Sequence, residues 1–509
     1  MRSVFALVAT VVITSTGCGG ESPPATPAAP PPAAEPTPAA PVVDTTPPPP
    51  VPQKQLITIT TTSPDAKAAF LKALSLMDNG RDGEALDQCK LAVAADPAFA
   101  FGHSCVGNVT PGAEGQAELD KGADLAAKLP DAERLFIEGW AALRHQDTVK
   151  GFADMKRVAE LAPDDVHAQL WLGYTLINQR DFKGAEAAFT KVLDLDPSAV
   201  FIQGALAWTH MQLREYDAAL AAAQKYVDGA PNEAAAHQTV AMALLNLNKT
   251  KEADAELSKA VELGPKARPV YYDLASVKAI EGDFAGARDA LERSKGAEAL
   301  PSQALERATR TAWVLFAAGK NSEAFAVLDA AEKDSDARKL VWPASAASAR
   351  AWALWVLGKP ADAQKVAEAA MPRCDRPESS AAYKADCRRD LLTIQALAQL
   401  QSKKVADAKK TVAKLQDETK NWQGNEWVSV EVDMLSDQVA ALASKDAKAA
   451  AAVLAKCPPD DFLFKLGILR QIESAGDKAA AEQVRKDVLG RPLTDPQYAL
   501  VARVANAKK

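Results

Sequence analysis

The amino-acid sequence predicts an all-α protein, a right-handed superhelical solenoid of about eleven or twelve antiparallel helix pairs. Three observations lead to this fold class. First, prolines stand at a 34-residue interval, at Pro163, Pro197, Pro231 and Pro265. Second, small residues recur at two fixed places between these prolines. Third, the segments between the turns carry helical patterns, and almost none reads as a strand.

Each unit predicts two antiparallel helices. With the closing proline counted as position 32, positions 8 and 20 are small in every unit from 132 onward. Two helices packed about 8–10 Å apart need small side chains where their backbones come closest. A glycine near position 15 suits the turn between the helices, and the closing proline ends the second helix because it has no amide hydrogen. Position 8 holds Gly139, Gly173, Ala207, Ala241, Ala275, Ala312 and Ala351, and position 20 holds Gly151, Ala185, Ala219, Ala253, Ala287, Ala324 and Ala363.

This pattern, clearest at 166–197, resembles the tetratricopeptide repeat family, whose unit is a 34-residue helix–turn–helix. The resemblance implies a concave inner surface, formed by positions 2, 5, 9, 12 and 13 of each first helix. It also implies that this surface binds a segment of another protein.

The N-terminal region predicts export and membrane anchoring. Residues 1–17 read as a lipoprotein signal peptide, with a short apolar run at 4–13 before the Ser-Thr-Gly-Cys sequence that ends at Cys18. Cys18 is then the lipidated first residue, and the expected location is the bacterial cell envelope, on the outer membrane facing the periplasm. Cleavage by an ordinary signal peptidase is the alternative, since Ser15 replaces the more usual leucine. Residues 18–63 are rich in Pro and Ala and predict a disordered tether.

The rest of the chain predicts one continuous solenoid. We expect repeats over 64–421 and degenerate helical pairs over 422–509. The segments 428–456 and 462–489 are two such pairs, which we expect to cover the exposed apolar end of the stack.

Six cysteines are present. Besides Cys18, two pairs are candidates for disulfides in an oxidising periplasm: Cys89 with Cys105, and Cys374 with Cys387. Buried thiols are the alternative for each pair. Cys457 is left over.

The inner surface implied by the resemblance is rich in large apolar side chains, which favours a binding groove because such patches normally meet another molecule. An alternative stays open, in which a tight superhelix or the C-terminal helices already cover these side chains. The candidate partner-binding residues are Phe136, Trp140, Leu170, Tyr174, Ile177, Phe201, Trp208, Met211, Met242, Leu245, Tyr272, Trp313, Phe316, Trp352 and Trp355.

Composition and motifs argue against other functions. A formal net charge of −7 without basic clusters argues against nucleic-acid binding. The five histidines form no metal-binding motif, and we expect neither an enzyme, a cofactor nor a metal. The expected function is a protein–protein interaction scaffold of the cell envelope, in envelope assembly or trafficking. The alternative is a carrier of a cell-wall glycan or an acyl ligand in the same groove.

Overall fold

The computed structural model describes residues 54–507 apart from several short gaps, so the predicted signal peptide, Cys18 and most of the predicted tether lie outside the described residues. The gaps are 79–81, 111, 146, 266, 299–300, 341–343, 378, 380, 421–425, 445–451, 454–456, 458–460, 491–493 and 496.

The described residues form α-helices and two short 3₁₀ turns, with no strand among them. The predicted all-α class is confirmed. Ten helix pairs follow one another, each made of a first and a second helix. The first helices are α1 (Pro64–Asp78), α3 (Ala100–Val109), α5 (Asp131–Arg144), α7 (Val166–Asn178), α9 (Ile202–Gln212), α11 (Ala234–Asn246), α13 (Arg268–Glu281), α15 (Pro301–Ala317), α17 (Ser345–Val356) and α19 (Ala381–Gln401). The second helices are α2 (Asp82–Ala95), α4 (Gly112–Ala126), α6 (Thr148–Leu161), α8 (Phe182–Leu195), α10 (Tyr216–Gly229), α12 (Thr250–Leu263), α14 (Phe284–Arg293), α16 (Asn321–Ala337), α18 (Pro360–Ala370) and α20 (Val405–Glu418).

Four more helices follow the ten pairs. They are α21 (Glu426–Ser444), α22 (Phe462–Ala475), α23 (Lys478–Leu489) and α24 (Tyr498–Asn506). Among the residues described, no helix is both long and apolar enough to cross a bilayer.

The small residues of each pair mark the helix crossing, as predicted. A Cβ atom built on Gly173 would lie 2.4 Å from the ring of Phe189 in the partner helix. On Gly151 it would lie 2.6 Å from Leu143. Both distances are shorter than carbon atoms can approach, so these positions exclude larger side chains.

From the fourth pair to the tenth, the turn between the two helices has a left-handed residue followed by the N-terminal cap of the second helix. Gly282, Gly319 and Gly358 have φ of 85°, 81° and 79°. Arg180, Arg214 and Asn248 take the same place with φ between 57° and 63°, so the repeat needs the conformation more than it needs glycine. The next residue is often an aspartate whose carboxylate accepts a hydrogen bond from the first turn, as Asp181 does from the Gly184 amide at 2.9 Å.

Burial joins the units into one stack. Three buried apolar clusters follow one another along the chain, at 66–168, 170–314 and 305–505. Phe284 and Ala499 pack against both of the last two clusters. Ala499 belongs to α24, so the C-terminal end of the chain contacts the middle of the solenoid.

The C-terminal helices differ from the expected end cap. The pattern predicts that 462–489 covers the exposed end of the stack, but α22 packs back against α19, and α24 packs against α13, α15 and α17. These contacted helices are all first helices. The C-terminal unit therefore returns along the solenoid, with α24 on the first helices of the three pairs that precede the last one.

The end of the predicted tether is ordered against the solenoid, which corrects the disorder expected up to residue 63. Residues 54–62 are non-helical, and their amides bond to carboxylates at the start of the first helices. The Ile57 amide donates to Asp165 at 3.2 Å, while the Thr60 amide and hydroxyl donate to Glu133 at 2.8 and 2.6 Å. Glu133 is fully buried, so this segment is part of the fold.

Candidate functional site

The candidate site is the inner wall, defined here as the side of the solenoid formed by the first helices. Successive first helices contact one another along the stack, as α9 contacts α11 and α15 contacts α17. Elements that approach each other most closely lie on the inside of a curved stack. The inner wall is therefore the concave surface that the sequence predicts.

The predicted groove residues do lie on these helices, but most of them are not open to solvent. Twelve are buried, and an open aromatic wall along the whole solenoid is a prediction that the structure corrects. The buried residues are Phe136, Trp140, Leu170, Ile177, Trp208, Met211, Leu245, Tyr272, Trp313, Phe316, Trp352 and Trp355. Tyr174, Phe201 and Met242 remain half-buried.

At the N-terminal end, the aromatic residues pack on each other from one first helix to the next. The Phe101 ring lies 5.9 Å from the Phe136 ring, and the Trp140 ring lies 5.7 Å from the Trp171 ring. Edge-to-face pairs at such distances are favourable beyond their burial. Ile57 and Ile59 of the N-terminal segment pack against the same cluster. These rings are therefore core contacts between units.

At the C-terminal end, the chain's own helices cover the wall. α24 packs on α13, α15 and α17, which carry Tyr272, Trp313 and Trp352. In α22, Arg470 donates to the main-chain oxygen of Trp355 at 2.8 Å, and its guanidinium lies 5.0 Å from the Trp355 ring centre. The alternative that the sequence left open, coverage by the C-terminal helices, is what the structure shows here.

A charged cluster on α13 and α15 was missed by sequence reasoning. Arg268 pairs with Glu306 and donates to the Tyr272 hydroxyl at 3.1 Å. Arg310 pairs with Glu306 at 3.2 Å and lies 4.2 Å from the centre of the Tyr272 ring. Burial raises the pKa of Glu306, but Arg310 and Arg268 outweigh it and hold that pKa below its usual value. The signal was present in the sequence, since position 6 carries Asp273 and Arg310 in adjacent units.

Asp273 connects this cluster to the C-terminal segment. Its carboxylate accepts hydrogen bonds from Gln238, at 2.5 Å, and from the Thr494 side chain. Burial raises the pKa of Asp273 to about 6, although both hydrogen bonds and nearby Arg310 oppose the shift. The segment before α24 is thus bonded to the inner wall as well as packed on it.

In the middle of the wall, the described helices that pack closely against α9 are α8, α10 and α11, and those that pack closely against α11 are α9, α10, α12 and α13. This surface, formed by α7, α9 and α11, is called the central groove below. It carries the half-buried Tyr174, Phe201 and Met242, with amide groups between them. Asn246 donates to the main-chain oxygen of Met242 at 3.0 Å, and Asn178 does the same to Tyr174 at 2.8 Å.

Titratable groups elsewhere serve the fold. His103 and His237 are buried, and each bonds to a glutamate on one side and to a proline carbonyl on the other. Glu186, His210 and Glu215 offer ligand atoms within 4.8 Å of one another. Lys183 already binds both of these carboxylates, at 3.0 and 2.9 Å, so its ammonium supplies the positive charge at this cluster.

Both candidate cysteine pairs are joined. Disulfides connect Cys89 with Cys105 and Cys374 with Cys387, with Cα–Cα distances of 5.5 and 5.6 Å. The first links a second helix to the next first helix. Cys457 is buried outside these disulfides, and its thiol lies 3.6 Å from the main-chain oxygen of Asp461.

The fold and the inner wall define a helical solenoid of repeats. Two tetratricopeptide repeat models match the sequence, at residues 138–200 and 176–243. The matched residues include α7, α9 and most of α11, so the central groove lies largely in the part of the chain that is similar to tetratricopeptide repeats. None of the curated protein sequences compared with the chain is significantly similar to it.

Several solved structures are similar to parts of the chain. A tetratricopeptide repeat protein from Parabacteroides merdae is 14% identical over 52% of this chain and 98% of its own, with a TM-score of 0.34. PilF of Pseudomonas aeruginosa is 15% identical over 39% of this chain and 90% of its own, with a TM-score of 0.31. The MamA protein is 22% identical over 34% of this chain and 92% of its own, with a TM-score of 0.28.

Proposed function

We propose that this protein is an interaction scaffold of the bacterial cell envelope, anchored through lipid at Cys18, and that it binds a segment of a partner protein in the central groove. The observation that carries the proposal is that different stretches of the inner wall pack against different parts of the chain. The C-terminal helix α24 packs on α13, α15 and α17, and Ile57 and Ile59 pack against the N-terminal cluster, whereas the described helices that pack closely against α9 and α11 are their neighbours in the stack.

The chemistry of the central groove suits an extended or helical peptide. Tyr174, Phe201 and Met242 offer apolar contact area, and side chains of this kind anchor peptides in grooves. The amides of Gln212 and Gln238 lie on the same helices and are suited to bonding a peptide main chain. Gln238 is half-buried, and its side-chain amide already donates to Asp273. The orientation of this side chain is therefore fixed before a partner binds.

The anchor is argued from the sequence. Residues 18–53 precede the ordered segment, and an extended Pro-rich chain of that length spans about 100 Å at ~3.1 Å per residue. The ordered segment begins beside α7, where the Gln55 amide lies 3.2 Å from the Asp164 carboxylate. Replacing Cys18 by Ser tests the anchor, since the variant is expected to leave the membrane fraction.

Site-specific crosslinking in intact cells tests the groove. A photoreactive amino acid replaces Phe201 or Met242, both half-buried in the central groove. The control position is Lys191, which is exposed on the second helix α8. We expect one crosslinked protein at 201 and at 242, and none at 191. The same products at all three positions, or none at any, would exclude the central groove as the binding surface for a partner protein.

The same experiment separates the alternative function, because a glycan or acyl carrier gives no protein adduct at either groove position. Sedimentation of the purified protein with peptidoglycan, lost on replacing Phe201 by Ala, would then identify a wall glycan as the ligand.

A further inference from the structure

We propose that the inner wall of α13, α15 and α17 is a second binding surface, that it takes a short apolar helix, and that the chain's own α24 occupies it as a displaceable internal ligand. The inference deepens the proposed scaffold function and rests on it, since a partner helix would bind by replacing α24. This surface is separate from the central groove. It is the part of α13, α15 and α17 on which α24 packs.

The seated helix has the features of a ligand. α24 has nine residues, and an isolated helix of that length is marginal in water. Its helical form therefore depends on the surface that it covers. Leu500 and Val501 are 0% exposed, and the helix packs on three successive first helices. A groove that holds one helix across three repeats has the shape that helix-in-groove recognition requires.

A polar contact sets the position of the helix. The Thr494 side chain bonds to Asp273, four residues before α24 begins. Asp495 then accepts a bond from the Gln497 amide at 2.8 Å and forms the turn into the helix. The Asp273 carboxylate is held in the wall by the hydrogen bond from Gln238. This position therefore favours a bound segment with a hydroxyl or amide donor. The matching partner is a short helix with two adjacent apolar residues, preceded by such a donor.

The position of α24 in the chain makes exchange feasible. It is the last helix described, and it does not continue the regular stack of α1 to α20. It is also held from the other side: the Tyr498 hydroxyl donates to the main-chain oxygen of Val488 at 3.1 Å, and Arg485 donates to that of Ala505 at 3.0 Å. Displacement must break these two bonds to α23 as well as the bond from Thr494 to Asp273.

Because α24 is covalently linked to the rest of the chain, it lowers the apparent affinity of this surface for an outside helix. A segment tied to its site by a short linker competes at an effective concentration on the order of millimolar. The apparent affinity for an outside helix is lowered by the fraction of molecules in which the surface is open. An intact chain therefore binds such a helix weakly, and cutting the linker raises the affinity.

The experiment cuts the linker after folding, so that it does not depend on a truncated chain folding. A protease site is inserted after Gly490, which is exposed, in the chain 54–509. The probe is a fluorescent peptide of residues 494–507. We expect weak binding to the intact chain and an affinity about 100-fold higher after cleavage. A probe with Leu500→Asp is expected not to bind, whereas the control Asn506→Asp, with the same charge change at an exposed residue, binds like the unchanged peptide.

Three results would overturn the proposal. They are loss of the folded helical signal on cleavage, absence of peptide exchange overnight in a cleaved chain that stays folded, and equal binding of the Leu500→Asp probe. Each means that α24 is a permanent core element or binds without specificity. The crosslinking at Phe201 and Met242 is unaffected by these results, so failure of this inference and failure of the scaffold function are distinguishable.

Discussion

Arg470 on α22 donates to the main-chain oxygen of Trp355, 115 residues earlier in the chain, at 2.8 Å. The same guanidinium bonds to the carbonyl of Val356 and lies over the Trp355 ring. These carbonyls belong to the last turn of α17, where a positive charge is favoured by the helix dipole. Burial nevertheless lowers the pKa of Arg470 to about 10. Arg470 thus adds a polar contact to the packing that holds the C-terminal unit against the inner wall.

Replacing Arg470 by Met should therefore destabilise the protein. We expect a loss of about 2–3 kcal/mol in the free energy of unfolding, because charged hydrogen bonds to buried carbonyls are lost. Urea unfolding measures it. Arg157→Met is the control, since Arg157 is exposed and pairs with Glu160 on the surface, and its effect should stay within ~0.5 kcal/mol. Equal effects of the two substitutions would show that the Arg470 contact does not hold the C-terminal unit.

Trp140 is expected to act as a core residue. It is 2% exposed and contacts rings of the units on both sides. Trp140→Ala should cost about 3–5 kcal/mol of unfolding free energy. Val149→Ala, at a side chain that is 52% exposed, should cost less than ~0.5 kcal/mol. Partner capture lost at unchanged stability would instead return Trp140 to the binding surface.

The disulfide between Cys374 and Cys387 should stabilise the long connection between α18 and α19. Replacing both cysteines by Ser is expected to lower the free energy of unfolding by about 3 kcal/mol. In a denatured chain 54–509, Cys457 is the cysteine outside the two disulfides, so thiol titration should find one thiol before reduction and five after it. Five thiols without reductant would contradict both disulfides.

Asp273 should make stability depend on pH. Its folded pKa, about 6, lies above the usual 3.8, so the folded protein binds this proton more tightly than the unfolded chain does. The stabilisation is complete below pH 4 and is lost as the pH rises through 6. Asp273→Asn removes this loss, and the stability of the variant relative to the natural protein should rise by about 3 kcal/mol between pH 4 and 7.

Urea unfolding at several pH values gives this difference curve. Asp124→Asn, at an exposed site, serves as the control and should give a flat difference. A flat curve for Asp273→Asn as well would mean that this carboxylate is hydrated in the folded protein.

The hydrogen bonds of Thr60 should hold the N-terminal segment on the solenoid. Thr60→Val removes the bond from the hydroxyl to buried Glu133 and keeps the bond from the amide. We expect a loss of about 1.5–3 kcal/mol, because the acceptor is charged, and faster proteolysis within 54–62. Thr190→Val is a control, since that exposed hydroxyl bonds only within its own helix. Unchanged proteolysis would show that the Ile57 and Gln55 contacts suffice.

Much of the fold could be predicted because the repeat is local. Pro163 and its equivalents end helices through their own geometry, and Gly173 is small because its contact is with Phe189 in the same pair. Contacts between residues of the same 34-residue unit leave a regular pattern in the sequence, and this pattern predicts them. The paired cysteines were also predictable, since each pair lies in neighbouring helices.

The exposure of the inner wall could not be predicted in this way. Trp313 and Trp208 occupy the same position in their repeats. The repeat pattern does not indicate which other part of the chain packs over either residue. The helix α15, which carries Trp313, packs against α24, almost two hundred residues further along the chain. That contact depends on whether α24 gains more contact area on the wall than at the end of the stack. That balance is set by long-range packing, which leaves no periodic pattern in the sequence. The sequence therefore predicts the all-α solenoid, whereas only the tertiary structure decides which parts of the groove are covered.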